Sequence, residues 1–241
     1  MKRDIIFYPC LLLMLSNVQC RKDHVPAANS ITIPIVNNPT NTQHTFLALG
    51  DSYTIGQSVA AAERFPAQTA ALLRVMGINM TDPAYIATTG WTTNDLAAAI
   101  NDQHITGPYS VVSLLIGVND QYQRHDTIGY RQRFRDLLLR SIDLAGRNNG
   151  HVFVLSIPDY SVTPFATNYD TAFISRQIKM FNTINKEETL LAYCHYLDIT
   201  PSTREALSDP TLIATDGLHP SGKEYAKWAN WLAPVMNDVL R

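Results

Sequence analysis

From Thr45 onward the chain alternates short apolar runs of strand length with longer segments of helical period, and this alternation leaves few folds open. The strand-like runs are Thr45–Leu49, Pro83–Ala87, Val111–Ile116, His151–Ile157 and His195–Ile199. Several are apolar without alternation, as expected of strands covered on both faces by helices. Between them, the segment Phe65–Met76 predicts a helix with Ala67, Ala70, Ala71, Leu72 and Val75 on its apolar face. Tyr130–Ala145 predicts another, buried through Tyr130, Phe134, Leu137, Leu138, Ser141, Ile142 and Ala145. Thr171–Leu191 and Ser221–Leu240 complete the helical set, and in the last Tyr225, Trp228, Ala229, Leu232, Val235 and Met236 recur at core spacing.

Strands joined through helices require right-handed βαβ crossovers. The expected fold class is therefore α/β: a three-layer α/β/α sandwich built on a flavodoxin-like, doubly wound, five-stranded parallel sheet, with ligands bound beyond the carboxyl ends of the strands. A length of 241 residues suits one such domain, spanning 45–241. A net charge of −2 with 17% charged residues gives no footprint for nucleic acid. Arg131, Arg133, Arg135, Arg140 and Arg147 on the second helix read as a solvated face.

Residues 1–20 differ from the rest. Lys2 and Arg3 precede an apolar stretch from Ile5 to Leu15, too short to span a bilayer and suited to a signal-peptide core. Its end reads in two ways. Cys20 before Arg21-Lys22-Asp23 resembles the lipid-modified cysteine of bacterial lipoproteins, which would tether the protein to a membrane; Val18-Gln19-Cys20 also suits conventional cleavage and secretion. Asn17 and Gln19 depart from the usual lipobox. Residues 21–44, rich in Asn, Thr and Pro, read as an extended tether. The expected location is extracytoplasmic, either periplasmic or at the cell envelope. With Cys10 lost in the leader, Cys20 and Cys194 make no disulfide framework, and Cys194 reads as a buried apolar residue.

Four short stretches carry the chemistry: Gly50-Asp51-Ser52-Tyr53, Thr89-Gly90-Trp91, Gly117-Val118-Asn119-Asp120 and Asp216-Gly217-Leu218-His219-Pro220. The first three follow predicted strands and the fourth precedes the final helix, so the sheet can bring all of them to one edge. A serine hydroxyl is a poor nucleophile at neutral pH and needs a base, itself oriented by a third group. Ser52, His219 and Asp216 fill those roles, because the i, i+3 spacing lets one loop hold the carboxylate against imidazole Nδ1 and leaves Nε2 for the serine proton. Attack on a carbonyl develops an oxyanion, and the Ser52 and Gly90 backbone N–H groups with the Asn119 amide are the expected donors. Asp51 and Asp120 are expected to order their loops through backbone hydrogen bonds.

Ser52, Gly90, Asn119 and His219, embedded in Gly-Asp-Ser, Gly-Val-Asn-Asp and Asp-x-x-His, resemble the SGNH hydrolase superfamily, also called the GDSL esterases and lipases. The resemblance covers the chain beyond the tether and implies a serine esterase acting on a small-molecule ester: a lysophospholipid, a simple acyl ester or an acetylated carbohydrate. It implies no cofactor and no metal, and a monomer is expected. Tyr53 stands where many members have leucine, and Trp91 follows the glycine of the second block; both are candidate pocket-lining residues. The serine lies outside a Gly-x-Ser-x-Gly elbow, so the likeness is not to the α/β-hydrolase fold. The same site could pass its acyl group to a sugar hydroxyl as an acyl- or acetyltransferase, or the fold could serve as a non-catalytic carbohydrate- or lipid-binding protein. The remaining histidines, His44, His104, His125, His151 and His195, lack metal-ligand spacing. No glycine-rich dinucleotide fingerprint follows the first strand.

Overall fold

The computed structural model describes residues 42–125 and 127–241. The leader, Cys20 and nearly all of the tether lie outside the described residues. The tether's last residue already belongs to the domain: His44 N–H donates to Asn79 O at 2.8 Å, and His44 O accepts from Thr81 N at 2.9 Å.

In chain order the elements are β1 (Phe46–Gly50), α1 (Ser52–Ile55), α2 (Phe65–Val75), β2 (Ala84–Ala87), α3 (Thr93–Asp102) and β3 (Val111–Leu115). There follow α4 (Val118–Arg124), α5 (Tyr130–Leu144), β4 (Val152–Leu155), α6 (Thr171–Leu191), β5 (His195–Leu197), α7 (Thr200–Thr203) and α8 (Gly222–Leu240). The five strands are all parallel, in the order β2-β1-β3-β4-β5. That is the expected doubly wound sheet. The chain reverses its direction of winding after β2, which opens a crevice between β1 and β3 at their carboxyl ends. The register is set so that Gly50 lies level with both Ala87 and Leu115.

Two groups of helices cover the sheet. α2 packs along α8, while α5 packs against α3, α6 and β3. Each group is sealed by aromatic rings: Phe65, Tyr225 and Trp228 meet between α2 and α8, and Tyr130, Phe134 and Phe181 between α5 and α6. All six are fully buried. β1 and β3 are buried along their whole length, which explains why neither alternates apolar with polar residues.

Two details differ from the helix expectations. α2 buries Phe65, Pro66, Thr69, Ala70 and Leu73, and leaves Val75 85% exposed. The stripe is rotated because Thr69 satisfies its hydroxyl on Phe65 O at 2.8 Å and can enter the core, whereas alanines are too small to define a face. On α5, Arg131 and Arg135 both bind the carboxylate of Glu188 on α6, and Arg133 reaches Asp120 at 3.3 Å. These arginines tie elements together and are not a merely solvated face. α3 has no counterpart among the helices expected from period; it starts at a Thr92-x-x-Asp95 capping box ahead of Leu96 and Ile100.

Gly50 is the tightest point of the scaffold. A Cβ there would come within 2.3 Å of Leu115 O and 2.2 Å of Thr54 Oγ1. Gly50→Ala is expected to lower stability by about 1–3 kcal/mol, the usual cost of overpacking a filled core. Urea unfolding of the two proteins measures it, and a loss below about 0.5 kcal/mol would mean that β1 and β3 can part at this level.

Candidate active site

The Gly-Asp-Ser stretch turns from strand to helix within one residue. Asp51 caps α1 by accepting the Tyr53 N–H at 3.0 Å, and the helix stops at Gly56 in the left-handed conformation, φ +67°. Ser52 is the first residue of that short helix and is 5% exposed. Asp51 itself is fully buried, and burial pushes its carboxyl up to about 8; the nearby charge of Asp120 adds to the shift and the Tyr53 N–H opposes it.

Gly90 follows β2 in a turn at φ +86°, with open space where a side chain would stand. α4 grips this turn through three of its side chains. Asn119 Nδ2 donates to Trp91 O at 3.0 Å, Gln123 Nε2 to Gly90 O at 3.3 Å, and Asp120 accepts both the backbone N–H and the hydroxyl of Thr93 at 2.8 and 2.7 Å. Asp120 thus orders the start of α3 as expected of it. Gly117 caps the start of α4, where φ is +124° and a Cβ would collide with the Tyr130 hydroxyl. Only glycine fits there.

The last stretch folds into a closed loop: Ala214 N–H donates to His219 O at 2.7 Å and Gly217 N–H to Ala214 O at 3.1 Å. Inside it, Asp216 Oδ1 accepts the backbone N–H groups of Leu218 and His219 at 2.9 and 3.0 Å. Asp216 Oδ2 pairs with His219 Nδ1 at 2.7 Å and also accepts the Ser58 hydroxyl at 2.6 Å. Partial burial works against the Asp216 charge, but the hydrogen bonds from Ser58, His219 and Leu218 outweigh it and hold the carboxyl well below the usual range. With Nδ1 engaged by a carboxylate, the imidazole offers Nε2 to its other side. Its ring lies edge-on to Tyr53, 5.5 Å between centroids.

These loops enclose a cavity of about 130 Å³ whose wall includes Ser52, Tyr53, Gly90, Asn119 and His219. Asp216 stands behind His219. Trp91 is not among the lining residues: its ring is half-buried against the core, and its contribution is the backbone carbonyl that holds Asn119. Tyr122, Tyr160 and Phe165 line the cavity instead. Tyr122 belongs to α4, whose first residues carried the motif, while Tyr160 and Phe165 come from a loop of single helical turns with no periodicity to read. Ser58 was also unforeseen, since it is a lone serine in a turn at φ +67°. Cys194 is a free, buried thiol whose pKa burial pushes up to about 11. Among the described residues no group of three or more His, Cys, Asp or Glu side chains could hold a metal ion.

The doubly wound sheet thus gathers a serine, a carboxylate-bound histidine, Gly90 and Asn119 around one cavity, an arrangement that suits a hydrolase. The model of the GDSL-like Lipase/Acylhydrolase family matches residues 48–227, and the chain belongs to that family. It is a carboxylic ester hydrolase. Among solved structures it is similar to Axe2, an acetylxylan esterase from Geobacillus stearothermophilus, at 19% identity and a TM-score of 0.62, covering 80% of this chain and 94% of that one. The lipase Lip_vut3 from a goat rumen metagenome matches at 17% identity and a TM-score of 0.64, with 80% and 97% covered. A member of the lipolytic G-D-S-L family from Veillonella parvula matches at 16% identity and a TM-score of 0.56, with 82% and 96% covered. At these identities the structures attest the fold. No curated protein matches the sequence.

Ser58→Ala removes one of the hydrogen bonds that favour the Asp216 carboxylate. The Asp216 titration midpoint, followed by carboxyl-carbon NMR, is expected to rise toward the ordinary value of about 3.9. An unchanged midpoint would show that the two backbone N–H groups and the imidazole suffice.

Proposed function

We propose that this chain is an exported serine esterase that hydrolyses its substrate through an acyl-Ser52 intermediate. The observation that carries the reading is the Asp216–His219 pair, 2.7 Å apart, behind a cavity wall that also holds Ser52, Gly90 and Asn119. His219 Nε2 takes the Ser52 proton as Oγ attacks the ester carbonyl, then returns it to the leaving alcohol; water repeats the sequence to release the acid. The oxyanion is met by the Ser52 and Gly90 backbone N–H groups and by Asn119. An amide carries two N–H donors. One of Asn119's goes to Trp91 O, which holds the amide in the cavity wall and leaves the other N–H for the oxyanion. Export rests on the Lys2-Arg3 leader pattern, and a lipidated Cys20 would anchor the protein at the cell envelope. Loss of membrane retention in Cys20→Ala, with the wild type retained, is the expected outcome; a wild type found wholly in the soluble fraction would remove the anchor.

The catalytic reading is tested by hydrolysis of p-nitrophenyl esters from acetyl to palmitoyl with the full chain. Ser52→Ala and His219→Ala should each lower kcat by at least about 10³-fold, and the double variant by little more, because the groups act as a unit. Additive losses would argue against a shared step. Asn119→Ala should cost about 10²–10³-fold, the usual effect of deleting an oxyanion donor. A change under threefold would take Asn119 out of that role.

A further inference from the structure

A second cavity, of about 290 Å³, adjoins the one that holds Ser52, and Tyr122 and Tyr160 line both. His125, Tyr169, Asp170 and Phe173 complete most of its wall. The rings form a continuous set. Tyr122 meets Tyr160 edge-on at 6.2 Å and Phe165 at 6.1 Å, and Phe165 stacks on Tyr169 at 5.6 Å and 20°. Tyr122, Phe165, Tyr169 and Phe173 nevertheless remain between 38% and 48% exposed, so a cluster of aromatic faces is left open beside the reaction centre. Partly exposed aromatic rings gathered beside a reaction centre suit a binding surface.

The cluster is also held in place. The Tyr160 hydroxyl donates to Gln121 Oε1 at 2.9 Å, Gln121 Nε2 donates to Gln177 Oε1 at 2.7 Å, and Gln177 Nε2 donates to the His125 carbonyl. Gln121 is fully buried, so this chain of amides fixes the floor from which the rings project. A preorganised platform loses little entropy when a ligand settles on it.

The lining chooses between the two halves of an ester. An acyl chain calls for a continuous aliphatic slot. Here the aromatic faces are edged by the Asp170 carboxylate, the His125 imidazole and the phenols of Tyr122 and Tyr169, 3.4 Å apart. One Asp170 oxygen caps α6 through the Phe173 N–H at 2.9 Å, and a carboxylate has a second oxygen with which to accept a hydroxyl. Flat apolar faces with polar groups at the rim match a sugar ring, which turns C–H bonds to an aromatic face and hydroxyls outward. The cavity at Ser52 is small, about 130 Å³. Sites for drug-sized ligands run to about 300–1,000 Å³. It therefore suits a short acyl group.

We propose that the second cavity is a subsite for the sugar ring of an O-acetylated carbohydrate, so that the alcohol half of the natural ester is a saccharide and the acyl half is acetyl. The proposal rests on the esterase reading above. In the reaction the bond from Ser52 Oγ to the acetyl carbon forms as the ester C–O bond breaks, the sugar oxygen leaves with the proton held by His219, and water then releases acetate.

The test measures acetate release by the full-length protein from a panel of O-acetylated oligosaccharides of glucose, xylose, mannose and N-acetylhexosamine, with ethyl acetate and p-nitrophenyl butyrate alongside. At least one saccharide should exceed ethyl acetate in kcat/KM by 100-fold or more. Tyr169→Ala and Phe173→Ala should shrink that preference about tenfold. Asp170→Asn keeps a good helix cap and so keeps the fold; it should raise KM for the saccharide with kcat little changed. A panel no better than ethyl acetate, or variants that lose activity on every ester alike, would overturn the subsite while leaving the esterase reading intact. A preference for longer acyl chains that Tyr169→Ala abolishes would assign the cavity to the acyl half and also overturn it. The failure of the esterase reading looks different: no Ser52-dependent turnover of any ester, and no labelling of Ser52 by a fluorophosphonate.

Discussion

The level at which β1 and β3 end fixes everything built beyond them. Gly50 lies opposite Leu115 in the register, with no space between for even a methyl group. The two strands therefore deliver their following residues to the same height, Ser52 from one and Asn119 from the other. A slip of one residue in this pairing would turn alternate side chains to the other face of the sheet and part the two loops. Burial of both strands along their whole length makes such a slip costly, so a property of the core holds a property of the surface.

Electrostatics around the cavity are economical in charge. Asp120 meets Arg133 at 3.3 Å and two donors of Thr93, whereas the neighbouring Asp51 has no ion pair among the described residues and is driven by burial toward the protonated form. A neutral carboxyl can still accept the Tyr53 N–H that starts α1. The Asp216 carboxylate, behind His219, is favoured by four hydrogen-bond donors, two of them backbone. The backbone of Ser52 and Gly90 and the Asn119 amide, which line the cavity, carry no formal charge. Such groups favour an anion that forms during reaction without attracting anions at rest.

Much of this was legible in the sequence. The five strands and four long helices announced themselves through apolar runs and period, and the four motifs named the residues that the sheet brings together. Elements escaped where the signal was of another kind. α3 is written in a capping box more than in periodicity, and the buried face of α2 depends on a threonine that can enter the core only because its hydroxyl bonds to Phe65 O. Trp91 showed the reverse case: the residue next to the motif mattered, but through its carbonyl, which every residue possesses. Tyr160 and Phe165 lie in short turns whose course is set by tertiary contacts, so no local pattern could place them beside Ser52.

The backbone N–H of Phe165 donates to Gly217 O at 3.0 Å, which joins the aromatic loop to the loop of Asp216 and His219. Parting the two loops breaks that bond, a net loss of about 1 kcal/mol, so the wall of aromatic rings and the seat of the imidazole are energetically linked.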